Sequence, residues 1–215
     1  MKAITQYGLL ICISLFLMMA CTHANDTVND RSKPHAQKDK WKQSKKILIV
    51  YLSRTNNTKA IAKMIHQEVE GDLVAVELIK DYPLDYQTTV DQVARENESG
   101  YLPPLKTIIS DITQYDIVFI GFPTWGMQLP PPIKSFLNQY DLSGKTVVTF
   151  NTNAGYGIGN SFEMVKQLCP NSTILEGFST KGGKEKEGLF MVMKGDKELE
   201  VQANIKKWLM KIGIN

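Results

Sequence analysis

Residues Ile47–Ile65 read ILIVYLSRTNNTKAIAKMI: an apolar run, a loop rich in hydroxyls, and a helix that opens at once. Val50, Tyr51 and Leu52 close a strand, while Ile61, Met64, Ile65 and Val69 recur at helical spacing. Between strand and helix stand Ser53, Thr55 and Thr58. A helix start offers backbone N–H groups without intrahelical partners and the positive end of the helix dipole. Short hydroxyls beside them complete a cradle for a phosphate. An ordinary N-cap accounts for one such hydroxyl, not for three.

Downstream, apolar runs alternate with amphipathic stretches. Strands are expected at Leu73–Ile79, Asp116–Phe122, Thr146–Phe150 and Thr173–Phe178, and helices at Tyr86–Glu98, Pro132–Tyr140, Asn160–Leu168 and Asp196–Ile212. The unbroken run DIVFIGF suits a strand covered on both faces. Five strands alternating with helices imply a doubly wound parallel sheet with right-handed crossovers. Ligands of such sheets lie beyond the carboxyl ends of the strands. After strand three comes Pro123-Thr124-Trp125-Gly126-Met127, and after strand four Asn151-Thr152-Asn153-Ala154-Gly155-Tyr156-Gly157-Ile158-Gly159. Each of these loops carries an aromatic beside glycines. A loop Trp is commonly a core plug or an interface anchor; next to a phosphate cradle it suits stacking on a planar ring.

These loops together resemble those of the flavodoxin-like family, in its bacterial branch of exported lipoproteins, from about Ile47 to the C terminus. Ser53-Arg54-Thr55-Asn56-Asn57-Thr58 resembles the family's S-x-T-G-x-T loop, which holds the phosphate of FMN. Thr124-Trp125-Gly126, following Pro123, resembles the loop whose Trp stacks on the isoalloxazine, and Tyr156 corresponds to a second stacking aromatic in some members. The resemblance implies FMN as cofactor, a flavodoxin-like five-stranded sheet in order 2-1-3-4-5, and further contacts from Asn153, Gly155 and Gly157. Asn56 replaces the usual Gly, and Asn is the residue best able to take over a left-handed turn. Met127 stands where electron-carrying flavodoxins often place an acid. The stretch Lys181–Lys194 has no element assigned to it, and its charges are expected to form a solvated loop.

The N terminus carries a different message. Lys2 precedes an apolar block, Leu9–Ala20, of signal-peptide length. Leu17-Met18-Met19-Ala20-Cys21 resembles a lipobox, making Cys21 a lipidation site; cleavage after Ala24 is the alternative. The expected organisation is a signal peptide over 1–20, a polar tether over 21–45, and a flavodoxin-like FMN-binding domain over 46–215. The tether, lysine-rich and nearly free of large aliphatics, builds no core and spans about 27 Å as a flexible coil. From Ile47 onward there are 17 basic and 19 acidic residues, so the basic balance belongs to the tail and no nucleic-acid partner is implied. An exported, lipid-anchored protein of the bacterial cell envelope follows, held at the membrane by its anchor only.

Catalytic side chains are not apparent. His23 and His35 lie in the tail, His66 on the polar flank of the first helix, and Cys169 reads as a small buried hydrophobe. No metal-ligand spacing or nucleophile motif occurs. Gly155-x-Gly157-x-Gly159, with Glu176 downstream, is a weak alternative dinucleotide fingerprint, its third glycine one position early. The function implied is electron transfer through a bound flavin, with a protein redox partner or a small acceptor such as a quinone. NAD(P)H-dependent quinone or flavin reduction, and a flavin-free interaction module, are the alternatives.

Overall fold

The computed structural model describes residues 45–214. The expected signal peptide, Cys21 and all but the last residue of the expected tether lie outside the described residues.

Strand β1 (Ile47–Tyr51) is buried along its whole length. It is followed by helix α1 (Asn57–Val69), β2 (Asp72–Ala75), α2 (Tyr86–Ser99), β3 (Ile117–Pro123), α3 (Pro131–Gln139), β4 (Thr146–Asn153), α4 (Ser161–Leu168), β5 (Thr173–Lys181), one 3-10 turn at Glu185–Glu187, and α5 (Asp196–Lys211). The strands form one sheet in order β2-β1-β3-β4-β5, every pair parallel. In register, Val50 pairs with Val74 on one side and Ile120 on the other.

Alternation along the strands divides the core in two. Ile47, Ile49 and Tyr51 face one layer with Ile61 and Ile65 of α1 and Val201, Ile205 and Trp208 of α5. Leu48, Val50 and Leu52 face the other with Ile133, Phe136 and Leu137 of α3 and Val165 of α4. Cys169 is buried in that second layer, where burial pushes its thiol up to about 11. Among the described residues no helix is long and apolar enough to cross a membrane.

Three elements differ in extent from their sequence expectation. β2 ends at Ala75, short of the expected Ile79, because the chain leaves the sheet there. The Glu77 N–H donates to Thr107 Oγ1 at 2.7 Å, and Leu78 bridges Leu105 instead. β4 and β5 continue past their apolar runs, since ladder bonds come from backbone: Asn151, Thr152 and Asn153 pair with Ser179, Thr180 and Lys181. β5 also carries a bulge opposite Val148–Phe150. Gly177 lies in it because a Cβ there would sit 2.4 Å from Thr149 Oγ1. The Glu176 carbonyl freed by the bulge accepts the Trp208 indole N–H at 2.8 Å.

Candidate cofactor site

The loop between β1 and α1 turns on Asn56, whose φ of 63° is left-handed, the conformation for which Asn substitutes for Gly. The turn aims a row of backbone donors at one place. The Lys59 N–H is satisfied by Ser53 Oγ at 3.2 Å and the Ala60 N–H by Asn56 O at 3.0 Å. The N–H groups of Arg54 through Thr58 have no protein acceptor among the described residues. Two hydroxyls join them. Thr55 Oγ1 accepts from Asn57 Nδ2 at 2.9 Å, which leaves its own proton to donate outward. Thr58 Oγ1 and Thr152 Oγ1 lie 2.8 Å apart, so one of the two protons remains free. The set is rich in donors and contains no carboxylate, which fits a phosphate.

Two loop residues serve another purpose with their side chains. Asn57, only 2% exposed, donates to Phe190 O at 2.5 Å and accepts from Val192 N at 2.9 Å. Arg54 borders the cavity, but its guanidinium is spent on Glu185 at 2.8 and 3.0 Å, Pro83 O at 2.8 Å and Leu84 O at 2.7 Å. Both tie down residues 182–194. This stretch is therefore fastened to the domain, while Lys181, Lys186, Glu187 and Lys194 stay exposed as expected from its charges. Glu185 is largely buried in its ion pair, Met193 is 1% exposed, and the 3-10 turn forms a wall of the site. Long-range pairing, invisible in local composition, draws Glu185 inward.

The ring-sized end lies between the loops after β3 and β4. Gly126 (φ 58°) and Met127 (φ 59°) make two successive left-handed residues, closed by Gln128 N–H to Trp125 O at 3.1 Å. This is the geometry of a type I′ turn. Met127 O also accepts from Asn160 N at 3.1 Å, and a Cβ on Gly159 would sit 1.8 Å from that oxygen. The two loops are thus locked together through Gly159. Behind them, fully buried Asn151 donates to Phe122 O at 3.0 Å and Thr124 Oγ1 at 3.0 Å, and Thr124 Oγ1 donates to Gly157 O at 3.0 Å. Asn153 Oδ1 accepts from Gly155 N at 2.9 Å and Gly157 N at 3.2 Å, shaping the loop that presents Tyr156.

A cavity of about 570 Å³ joins the two ends. Of the residues expected there, Arg54, Thr55, Thr58, Pro123, Thr124, Trp125, Gly126, Asn153 and Tyr156 line it. Ser53, Asn56, Asn57, Gly155 and Gly157 stand behind it as supports. Trp125 is held edge-on by Tyr82, ring centroids 5.2 Å apart at 86°. The Tyr82 hydroxyl donates to buried Glu96, and burial, reinforced by that bond, drives its pKa upward and keeps it protonated. Tyr156 is 74% exposed at the mouth.

One wall was missed by sequence reasoning. Tyr86, Val90, Val93, Ala94 and Asn97 of α2 line the cavity along one helical face. Their spacing is visible in the sequence, but the stretch reads as polar because its other faces are. Asp85 caps this helix, accepting from Thr88 N–H at 2.8 Å, and the Thr88 hydroxyl is the main cause holding its carboxyl below the ordinary value.

Comparison with known proteins agrees with this geometry. A family model described as flavodoxin matches residues 46–194. A candidate flavoprotein from Bacteroides eggerthii DSM 20697 superposes with a TM-score of 0.64 at 30% identity, covering 80% of this chain and 99% of that one. A second, from Bacteroides uniformis ATCC 8492, gives a TM-score of 0.59 at 27% identity over 66% of this chain and 94% of that one. A flavoprotein in complex with FMN from Lactobacillus acidophilus NCFM gives 0.58 at 24% identity over 63% and 93%, a likeness of fold. No curated protein gives a significant match. With most of its length matched by the family model and the sheet order of the fold in place, the chain belongs to the flavodoxin family.

Proposed function

We propose that this chain binds FMN and serves as a redox protein. The observation that carries the reading is the donor set of Arg54–Thr58, unpaired N–H groups and two outward hydroxyls at one end of a cavity whose other end holds Trp125. Such a site takes a ligand with a dianionic tip and a flat ring. A bound flavin supplies electron acceptance and donation; the chain's own residues hold, orient and shield. Thr55 and Thr58 grip the phosphate, Trp125 presents its ring to the cofactor's, and the locked turn at Gly126–Met127 fixes the height of that wall.

The primary reading is electron transfer to a protein partner. It is supported by apolar side chains exposed on the loops after β3 and β4, Met127 at 47% and Tyr156 at 74%. A second reading, reduction of a small planar acceptor such as a quinone by NAD(P)H, is favoured by the apolar face of Val90, Val93 and Ala94 along the cavity. Location in the cell envelope, through lipidation at Cys21, rests on the N-terminal sequence and is part of the same proposal.

The test is a pair of ligands differing only in the phosphate. Thr55→Val with Thr58→Val removes two hydroxyl donors, each worth about 1.5–3 kcal/mol toward a charged acceptor, so FMN should bind about 100-fold or more weakly. Riboflavin should be little affected. Equal losses for the two ligands in fluorescence titrations of the apoprotein would remove the phosphate assignment.

A further inference from the structure

An ammonium is anchored to two residues that line the cavity. Lys134, on α3, donates to Asn97 Oδ1 at 2.8 Å and to Gln128 Oε1 at 3.0 Å. Asn97 reaches in from α2 and Gln128 from the end of the Trp125 turn, and both line the cavity. An ammonium has donors and no acceptor, whereas a carboxamide has one oxygen and one NH₂. Each amide must therefore turn its oxygen toward Lys134. The choice between the two flips of Asn97 and of Gln128 is thereby settled by chemistry, since the reversed amides would face the ammonium with donors.

The consequence lies on the opposite side of each amide. With their oxygens committed, neither Asn97 Nδ2 nor Gln128 Nε2 donates to a protein acceptor among the described residues. Asn97 Nδ2 lies 3.8 Å from the point where a Cβ on Gly126 would sit, beside the turn that lines the cavity with it. Both residues are half-buried. Lys134 is itself partly withdrawn from water, and burial pulls its pKa below the ordinary value. No such arrangement was expected from the loops alone, which carry no charge near this end.

We propose that Lys134 is a positioning residue which polarises Asn97 and Gln128 into a pair of fixed N–H donors, making the ring end of the cavity a recognition site for carbonyl oxygens on a planar heterocycle. For the flavin of the proposed function, on which this inference rests, the matching acceptors are the carbonyl oxygens of the pyrimidine edge. The pair selects for a ring that carries acceptors there and against one that carries donors, because a misplaced donor would face NH₂ groups with nothing to accept its proton.

Asn97→Asp tests this most sharply. It preserves size and strengthens the bond to Lys134, yet it replaces the cavity-facing NH₂ by a carboxylate oxygen. Affinity for FMN and for riboflavin should then fall alike, by roughly tenfold or more, because the lost donor serves the ring and not the phosphate. Lys134→Met, which frees both amides to rotate, should weaken both flavins, and Lys134→Arg, still a pure donor, should restore most of the affinity. With ¹³C-labelled flavin, the carbonyl carbon signals of the bound ring should move toward their values in a non-hydrogen-bonding solvent in Asn97→Asp and Lys134→Met. Flavin affinities and carbonyl signals that match wild type in both variants would overturn the inference while leaving the flavin reading intact. Wild-type protein that takes up neither flavin would overturn that reading itself, and this one with it.

Discussion

Asn57→Ala separates the two jobs assigned to the loop after β1. The Asn57 side chain makes three hydrogen bonds, to Thr55 Oγ1 at 2.9 Å, to Phe190 O at 2.5 Å and from Val192 N at 2.9 Å. At about 1 kcal/mol net each, their loss amounts to about 3 kcal/mol. If that loss were felt globally, Tm would fall by roughly 6–12 °C for a fold of this size. The strap over residues 182–194 has other anchors, Met193 in the core and Glu185 on Arg54. Part of the loss should therefore appear as local opening. Hydrogen exchange at the Val192 amide measures it directly, since that amide's only side-chain acceptor is Asn57 Oδ1. Exchange there should accelerate by about 100-fold, the equivalent of the lost bonds. FMN should weaken more than riboflavin, because the loosened strap readmits water to the proposed phosphate end. Unchanged Val192 exchange, combined with a selective loss of FMN over riboflavin, would refute this reasoning and return the Asn57 side chain to the phosphate.

Two further predictions concern the sheet and the tail. Tyr115 is pushed up to about 12 by burial and then by its 2.6 Å bond to Asp72, above the ordinary 10.0. A hydroxyl with a raised folded pKa contributes stability that is complete below the unfolded value and is lost as pH climbs through the folded one. Tm should thus decline between pH 10 and 12, less steeply in Tyr115→Phe, and identical slopes for the two proteins would discount the Asp72 bond. In cells, Cys21→Ser should leave the protein as an unprocessed precursor or release it from membranes, because the acyl chains contribute about 0.8 kcal/mol per buried methylene. Wild-type protein recovered wholly soluble and beginning at Asn25 would exclude lipidation.

What could be read from the sequence was what lies close together along it. The phosphate loop packs its hydroxyls and its left-handed Asn56 into six consecutive residues, so its chemistry is visible without a fold. The parallel sheet followed from alternation of elements, its strand order from the family resemblance, and β1 and β3 from apolar runs buried on both faces. Strand ends were less legible, because Asn151–Asn153 stay in the ladder through backbone bonds that polar side chains do not disturb. The role of Asn57 was hidden for a different reason: its partner Phe190 lies 133 positions away. Lys134, Asn97 and Gln128 were hidden likewise, since each looks like an ordinary helix or loop residue until three separate elements bring them together. Asn151 gave the same impression of a loop polar residue, yet it is fully buried and holds both ring-end loops.

The two ends of the cavity are treated oppositely, and the difference bears on the proposed function. At the phosphate end Asn57 is 2% and Thr58 1% exposed, beneath a strap fastened by Arg54 and Asn57. Hydrogen bonds to an anion strengthen as water is excluded, so covering this end favours retention of a charged tip. At the ring end Tyr156 and Met127 stay open to solvent. A site built to turn over its ligand as substrate would need the anion end to release it, which the strap opposes. A site that keeps its ligand and exchanges only electrons needs the ring edge within reach and the phosphate held. The fastening of the strap to the loop after β1, through Arg54 and Asn57, therefore favours a resident cofactor over a passing one. It also places the burden of specificity on the ring end, where Asn97 and Gln128 meet whatever ring the cavity receives.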